Sequence, residues 1–133
     1  MNPRILFVDD EANMRELLSL YLRDKSMEVT AVATGPQAME LFSQVPFDLT
    51  ILDLKLADGD GLEVFDFIRH QDAQHPVIIF TGVDEDELFL KKALLGRANA
   101  VVRKMSSLAS LLAVIRQHLP ASSAPGETRA AEV

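Results

Sequence analysis

The chain has 133 residues, enough for one compact domain with its own core and no need of disulfides or a structural metal. Its hydrophobic share of 48% and charged share of 25% match an average globular protein, and its longest apolar runs, such as Ile5-Leu6-Phe7-Val8 and Val77-Ile78-Ile79-Phe80, cannot cross a bilayer. Thirteen Lys and Arg against twenty Asp and Glu leave a net charge of −7, a field that repels phosphate backbones and argues against direct nucleic-acid binding by this segment.

Met1-Asn2-Pro3-Arg4 leads straight into a run too short for a secretory signal, and there is no cysteine, so the expected compartment is cytoplasmic, with no membrane association. Five short runs read as buried strands, β1 to β5: Arg4 to Val8, Glu28 to Ala33, Leu49 to Leu52, Val77 to Phe80 and Ala100 to Arg103. Between them apolar residues recur at helical spacing: Met14, Leu17, Leu18, Tyr21 and Leu22 after β1, and Ala38, Leu41, Phe42 and Val45 after β2. A fourth helix, α4, is expected from Glu85 to Leu95, and a last one, α5, carries Leu108, Leu111, Leu112 and Ile115. Thr34 with Gln37, and Asp84 with Glu87, mark two helix starts by cap and reach-back residue. Strict alternation with nearly continuous apolar strands predicts a doubly wound α/β domain, a parallel sheet with helices on both faces. The domain is expected to fill residues 1–119. Residues 120–133, rich in Pro, Ala, Ser and Gly without periodicity, read as a flexible tail or linker.

Chemistry in such sheets collects beyond the carboxyl ends of the strands. There β1 runs into Asp9-Asp10-Glu11, β3 into Asp53, β4 into Thr81-Gly82 and β5 into Lys104. Three carboxylates on one rim repel by several kcal/mol even at an effective dielectric of about 20, so the pattern calls for a hard divalent cation. Magnesium suits it: Asp10 and Asp53 as ligands, Asp9 holding a water. Asp53 could then act as a nucleophile toward phosphorus, with Lys104 absorbing negative charge, Thr81 donating a hydrogen bond to the new group and Gly82 leaving room for the donor. Each feature also has a plainer reading. Asp9-Asp10 alone suits a solvated helix start, Asp53 a strand end, Lys104 a surface lysine and Thr81 the turn before Asp84. Asp58-Gly59-Asp60-Gly61 reads as an ordinary turn that supports the site without binding anything. His70, His75 and His118 stand apart, without ligand spacing, and are expected to be solvated or capping residues.

Taken together, Val8-Asp9-Asp10-Glu11, Asp53-Leu54-Lys55-Leu56-Ala57-Asp58-Gly59-Asp60-Gly61, Thr81-Gly82 and Lys104 resemble the receiver domain of two-component response regulators over about residues 4 to 119. The resemblance implies a flavodoxin-like (βα)5 fold with strand order 2-1-3-4-5. It implies phosphotransfer from a phosphohistidine on a sensor histidine kinase or histidine phosphotransfer protein, with output through the α4-β5-α5 face. By position it makes Asp53 the phosphoacceptor, Asp9 and Asp10 the acidic pair for Mg2+, and the backbone carbonyl of Lys55 a further metal ligand. Lys104, Thr81 and Gly82 fall at the phosphoryl-contacting positions, and Thr81 and Val101 at the switch positions.

Several positions depart from the family pattern. Met105 replaces the proline usual after the lysine, and a cis bond before a non-proline residue costs about 2.5–4 kcal/mol. Val101 replaces the switch aromatic, Ala57 a common proline, and Arg97 the glycine usual before Ala98, with Gly96 one place earlier. Leu88, Phe89, Leu90, Ala93, Leu94 and Leu95 cover more of α4 than one buried stripe requires, so Leu88, Phe89 and Leu95 are candidates for a partner or homodimer interface. A receiver-like interaction module working without phosphorylation is the alternative, but it has no use for the full set of Asp9, Asp10, Asp53, Thr81 and Lys104. An aspartyl-phosphate hydrolase would need a second Asp at the place of Lys55, so no enzyme turning over external substrates is expected.

Overall fold

A computed structural model describes residues 2–56, 59–82 and 97–120. Its centre is a five-stranded parallel sheet of β1 (Arg4–Val8), β2 (Glu28–Val32), β3 (Leu49–Leu52), β4 (Val77–Thr81) and β5 (Ala100–Arg103), in the order β2-β1-β3-β4-β5. This is the expected flavodoxin-like order. The register is continuous: Ile5 lies beside Val29 on one side and Leu49 on the other, Ile51 beside Ile78, and Ile78 beside Ala100. β2 ends one residue before Ala33, where the chain turns into a helix cap, and β4 runs one residue past Phe80 to include Thr81.

The described helices are α1 (Ala12–Asp24), α2 (Gly35–Gln44), α3 (Gly61–Gln71) and α5 (Leu108–His118). Strand alternation divides the interior in two. Ile5, Phe7, Leu49, Ile51, Ile78, Phe80 and Val102 pack with Leu18 and Leu22 of α1 and Leu111, Leu112 and Ile115 of α5. Leu6, Val8, Leu52, Val77 and Ile79 pack the other way, on Ala38 of α2 and Val64, Phe65 and Ile68 of α3. Runs without polar interruption, such as Val77–Phe80, exist because both faces of the sheet are covered.

Local signals set the helix ends. Thr34 accepts a hydrogen bond from the Gln37 amide at 3.3 Å, while Gln37 Oε1 reaches back to the Ala33 amide, as the cap spacing predicts. Ser107 caps α5 by accepting from the Ser110 amide at 3.0 Å. α1 closes with the amides of Ser26 and Met27 donating to the carbonyls of Arg23 and Leu22, Ser26 taking the left-handed φ of 67° that this ending requires. Arg97 also has positive φ, 72°, a backbone conformation that glycine adopts without steric cost. Its carbonyl accepts from Arg69 Nη2 at 2.7 Å, tying α3 to the approach to β5.

Two expectations need correction. The segment after Asp53 is more than a turn, because Lys55–Leu56 and Gly59–Asp60 pair as a short antiparallel ladder and Gly61 already opens α3. His75 is neither solvated nor a cap. It is buried, its Nε2 lies 2.9 Å from Thr50 Oγ1, and its ring meets Phe42 edge-on with centroids 4.8 Å apart. The expected α4, its Asp84 and Glu87 cap and the residues Leu88, Phe89 and Leu95 lie outside the described residues, as do Ala57, Asp58, Gly96 and the tail beyond Pro120. No helix among the described residues is long and apolar enough to cross a membrane.

Candidate functional site

Each functional residue expected at a strand end sits where the sheet's own hydrogen bonding fixes it. The first residue after β1, Asp9, donates its amide to Val32 of β2, and the first after β3, Asp53, donates to Val8 of β1. The Lys104 amide, just past β5, donates to Thr81 of β4 at 2.7 Å. The ladder thus runs one residue beyond the strands on three adjacent pairs, aligning two acids, a hydroxyl and a lysine along one edge.

Asp9, Asp10 and Asp53 each present a carboxylate oxygen within 4.8 Å of the other two. Asp10 faces solvent, whereas Asp9 is fully buried and Asp53 is 4% exposed. Such crowding needs positive charge, and Lys104 provides it. Its Nζ lies 2.8 Å from Asp9 Oδ2, 3.0 Å from Asp53 Oδ2 and 3.0 Å from Glu11 Oε1. Burial by itself would lower the lysine pKa, but the bonds to Asp9, Asp53 and Glu11 prevail and hold it above its ordinary value. Burial also dominates at the acids. It pushes the Asp53 carboxyl up to about 6 against the pull of Lys104, and raises Asp9 in the same way.

Backbone donors complete the carboxylate shell. The Glu11 amide donates to Asp9 Oδ1 at 2.9 Å, and the Lys55 amide donates to Asp53 Oδ1 at 3.2 Å. Among the described residues Asp9 Oδ2 is buried with no hydrogen-bond donor, its charge met by the nearby Lys104 ammonium. An all-oxygen donor set of one open and two buried carboxylates, with an oxygen left under-satisfied, fits a hard divalent cation.

The remaining predicted residues fall around this edge. Thr81 is fully buried, and its hydroxyl has no hydrogen-bond partner among the described residues. A Cβ built on Gly82 would meet nothing within 4 Å among the described residues. Val101 is half-buried beside Ile79 and packs into the α2–α3 side of the core. Met105 is 77% exposed, and no peptide bond among the described residues is cis.

Two residues of the site went unnoticed in the sequence. Glu11 stands in the sequence only as part of the acidic run, yet its side chain reaches Lys104. Gly61 was read as a turn glycine, but its amide donates to the Leu54 carbonyl at 2.6 Å, and a Cβ there would overlap the Asp53 carbonyl oxygen and lie 2.8 Å from Leu54 Cα. Its position eight residues after a strand-end aspartate was the available signal.

Comparison with known proteins agrees with this geometry. Residues 5–116 match the model of the response regulator receiver domain. The chain is 36% identical over 79 residues to the response regulator protein PilR of Pseudomonas aeruginosa, an alignment covering 59% of this chain and 18% of PilR. It spans between 18% and 37% of the length of the curated relatives it matches. Among solved structures it is similar to a CheY-like receiver domain protein of Methanospirillum hungatei, with TM-score 0.83 and 26% identity over 88% of this chain and 93% of that one. It is also similar to the response regulator TrrA of Thermotoga maritima, solved with Mg(2+)-BeF, with TM-score 0.79 and 30% identity over 88% of this chain and 99% of that one. With matched residues running from β1 into α5, and acids, hydroxyl and lysine in one row at the sheet edge, the chain belongs to the response regulator receiver domain family.

Proposed function

We propose that this chain is a phosphorylation-controlled signalling switch that takes a phosphoryl group onto Asp53 from a phosphohistidine on a sensor histidine kinase or a histidine phosphotransfer protein. The observation that carries the reading is the convergence of Asp9, Asp10 and Asp53 within 4.8 Å, with Lys104 Nζ 3.0 Å from Asp53 Oδ2. Asp9, Asp10, Asp53 and the backbone carbonyl of Lys55 would hold Mg2+. When bound, the ion supplies charge compensation for the acids and the incoming phosphoryl oxygens.

In the transfer an Asp53 carboxylate oxygen forms a bond to phosphorus while the phosphorus–nitrogen bond of the donor breaks, the imidazole nitrogen keeping the electron pair and taking a proton. Lys104 donates to a transferred oxygen. Thr81, whose buried hydroxyl has no partner among the described residues, is suited to donate a second hydrogen bond, and Gly82 keeps the approach clear. A buried hydroxyl left unpaired costs about 1–3 kcal/mol, so pairing Thr81 favours the phosphorylated arrangement. Val101 lacks the ring that usually rotates with this hydroxyl in the family. Output through the α4-β5-α5 face then rests on Thr81 and its own loop, and a homodimer through that face is the simplest readout.

Residues 1–119 form the receiver unit in this reading, and 120–133 a tail or linker. The chain is not a turnover enzyme, since Lys55 stands where an aspartyl-phosphate hydrolase needs its second acid. Incubation with acetyl phosphate and magnesium, followed by intact-mass measurement, tests the reading. One added phosphate is expected, absent without magnesium and absent in Asp53→Ala; a gain that persists in Asp53→Ala refutes it.

A further inference from the structure

Lys104 Nζ faces three carboxylates: it donates to Glu11 Oε1 and Asp53 Oδ2, each at 3.0 Å, and lies 2.8 Å from Asp9 Oδ2 as an ion pair. The proposed function, on which this inference rests, changes two of these carboxylates. Phosphorylation makes one Asp53 oxygen the bridge of an acyl phosphate, and Asp9 belongs to the group of acids that would hold the cation. Glu11 is different. It is not one of the three converging acids, and its side chain is 62% exposed.

A second observation concerns the start of α1. Glu11 occupies the N-cap position, but its side chain makes no hydrogen bond to the helix. It turns instead toward Lys104, 93 residues away in sequence, while its own amide is pinned to Asp9 Oδ1. The side chain leaves the helix start uncapped and makes a long-range bond into the site.

The geometry points to Glu11 as the positioning residue for Lys104, the one carboxylate that stays with the ammonium when the other two are committed to chemistry, so that the lysine meets the phosphoryl oxygen already oriented. Glu11 touches neither phosphorus nor cation in this role and acts entirely through Lys104. If the pair had to break on loading, Glu11 would compete with the phosphoryl oxygen for the lysine. The two possibilities predict opposite signs.

Beryllofluoride with magnesium chloride, followed by 19F NMR of the bound fluorides, reads this out without phosphate turnover. The proteins are the wild type, Glu11→Ala, Glu11→Gln, Lys104→Ala and the Glu11→Ala/Lys104→Ala pair. Glu11→Ala is expected to weaken beryllofluoride binding about two- to five-fold, the range for a solvent-facing ion pair. Glu11→Gln, which still accepts a hydrogen bond, should fall between it and wild type. In the Lys104→Ala background the Glu11→Ala change should leave affinity unaltered, because coupled residues lose their separate effects together. Unchanged or tighter binding by Glu11→Ala overturns the proposal. So does the same loss in the Lys104→Ala background, which would make it a general charge effect. A wild-type protein that binds no beryllofluoride refutes the phosphoacceptor reading itself and the tether with it, whereas Asp53 phosphorylation alongside an inert Glu11→Ala refutes only the tether.

Discussion

Asp53 is held in a place that disfavours its own charge. Burial lifts its pKa from 3.8 to about 6, so the ionised form costs stability at neutral pH, and that cost fades as pH falls through 6 toward 4. Asp53→Asn, neutral at every pH, is therefore expected to stabilise the fold by about 1–3 kcal/mol near pH 8, with the gain shrinking toward zero near pH 4. Urea midpoints at the two pH values check this, and a gain independent of pH would contradict the burial argument. The strand-end places of Asp9, Asp53 and Thr81 were legible in the sequence because each is the polar residue that ends an apolar run, with Asp10 and Lys104 one residue further on. The reach of Glu11 was not, since a flexible side chain's choice between helix cap and distant lysine depends on where β5 lands, and no spacing within the first eleven residues carries that.

Among elements, the connection from β3 to α3 is the one the sequence described least well. The strands were readable because an unbroken run such as Leu49-Thr50-Ile51-Leu52 must be covered on both faces, which leaves one sheet architecture. The short ladder of Lys55–Leu56 with Gly59–Asp60 was not, because two-residue pairing has no periodicity to detect. The ladder folds the chain back so tightly that Gly61 rests against the backbone of Asp53 and Leu54. Gly61→Ala must displace that backbone. A loss of about 1–3 kcal/mol is expected, as for other overpacked positions, together with weaker magnesium binding because Asp53 moves with it; calorimetric titration and urea melts read the two effects. Magnesium affinity kept at wild-type level would show that the loop gives way without moving the carboxylate.

Across the whole molecule, the two ends of the sheet do different work. The site end gathers charge, while the opposite end is fastened by the buried His75–Thr50 pair and by Arg69, which donates to the His75 carbonyl at 2.6 Å. Burial lowers the His75 pKa to about 4 from 6.5, keeping the ring neutral in the fold. The folded state then refuses a proton that the unfolded chain takes up. The stability contribution is fully present above about pH 6.5 and is lost as pH falls through 4, by on the order of 3 kcal/mol at most. His75→Gln, which can still bond Thr50, is expected to flatten the stability profile between about pH 6.5 and 4, and an unchanged slope would place acid sensitivity elsewhere. The layered fold was legible from strand alternation, but a histidine before Pro76 looks like a loop residue until β3 and α2 close over it.

The amides of Asp9, Asp53 and Lys104 all remain locked into neighbouring strands. The Cα atoms that bear these side chains therefore behave as fixed posts, and under the proposed function a phosphoryl group on Asp53 would not be relayed by sliding one strand against the next. Movement has to begin in side-chain torsions and in the segments that leave the posts. In an arrangement of this kind whatever responds is attached to the posts and is not one of them.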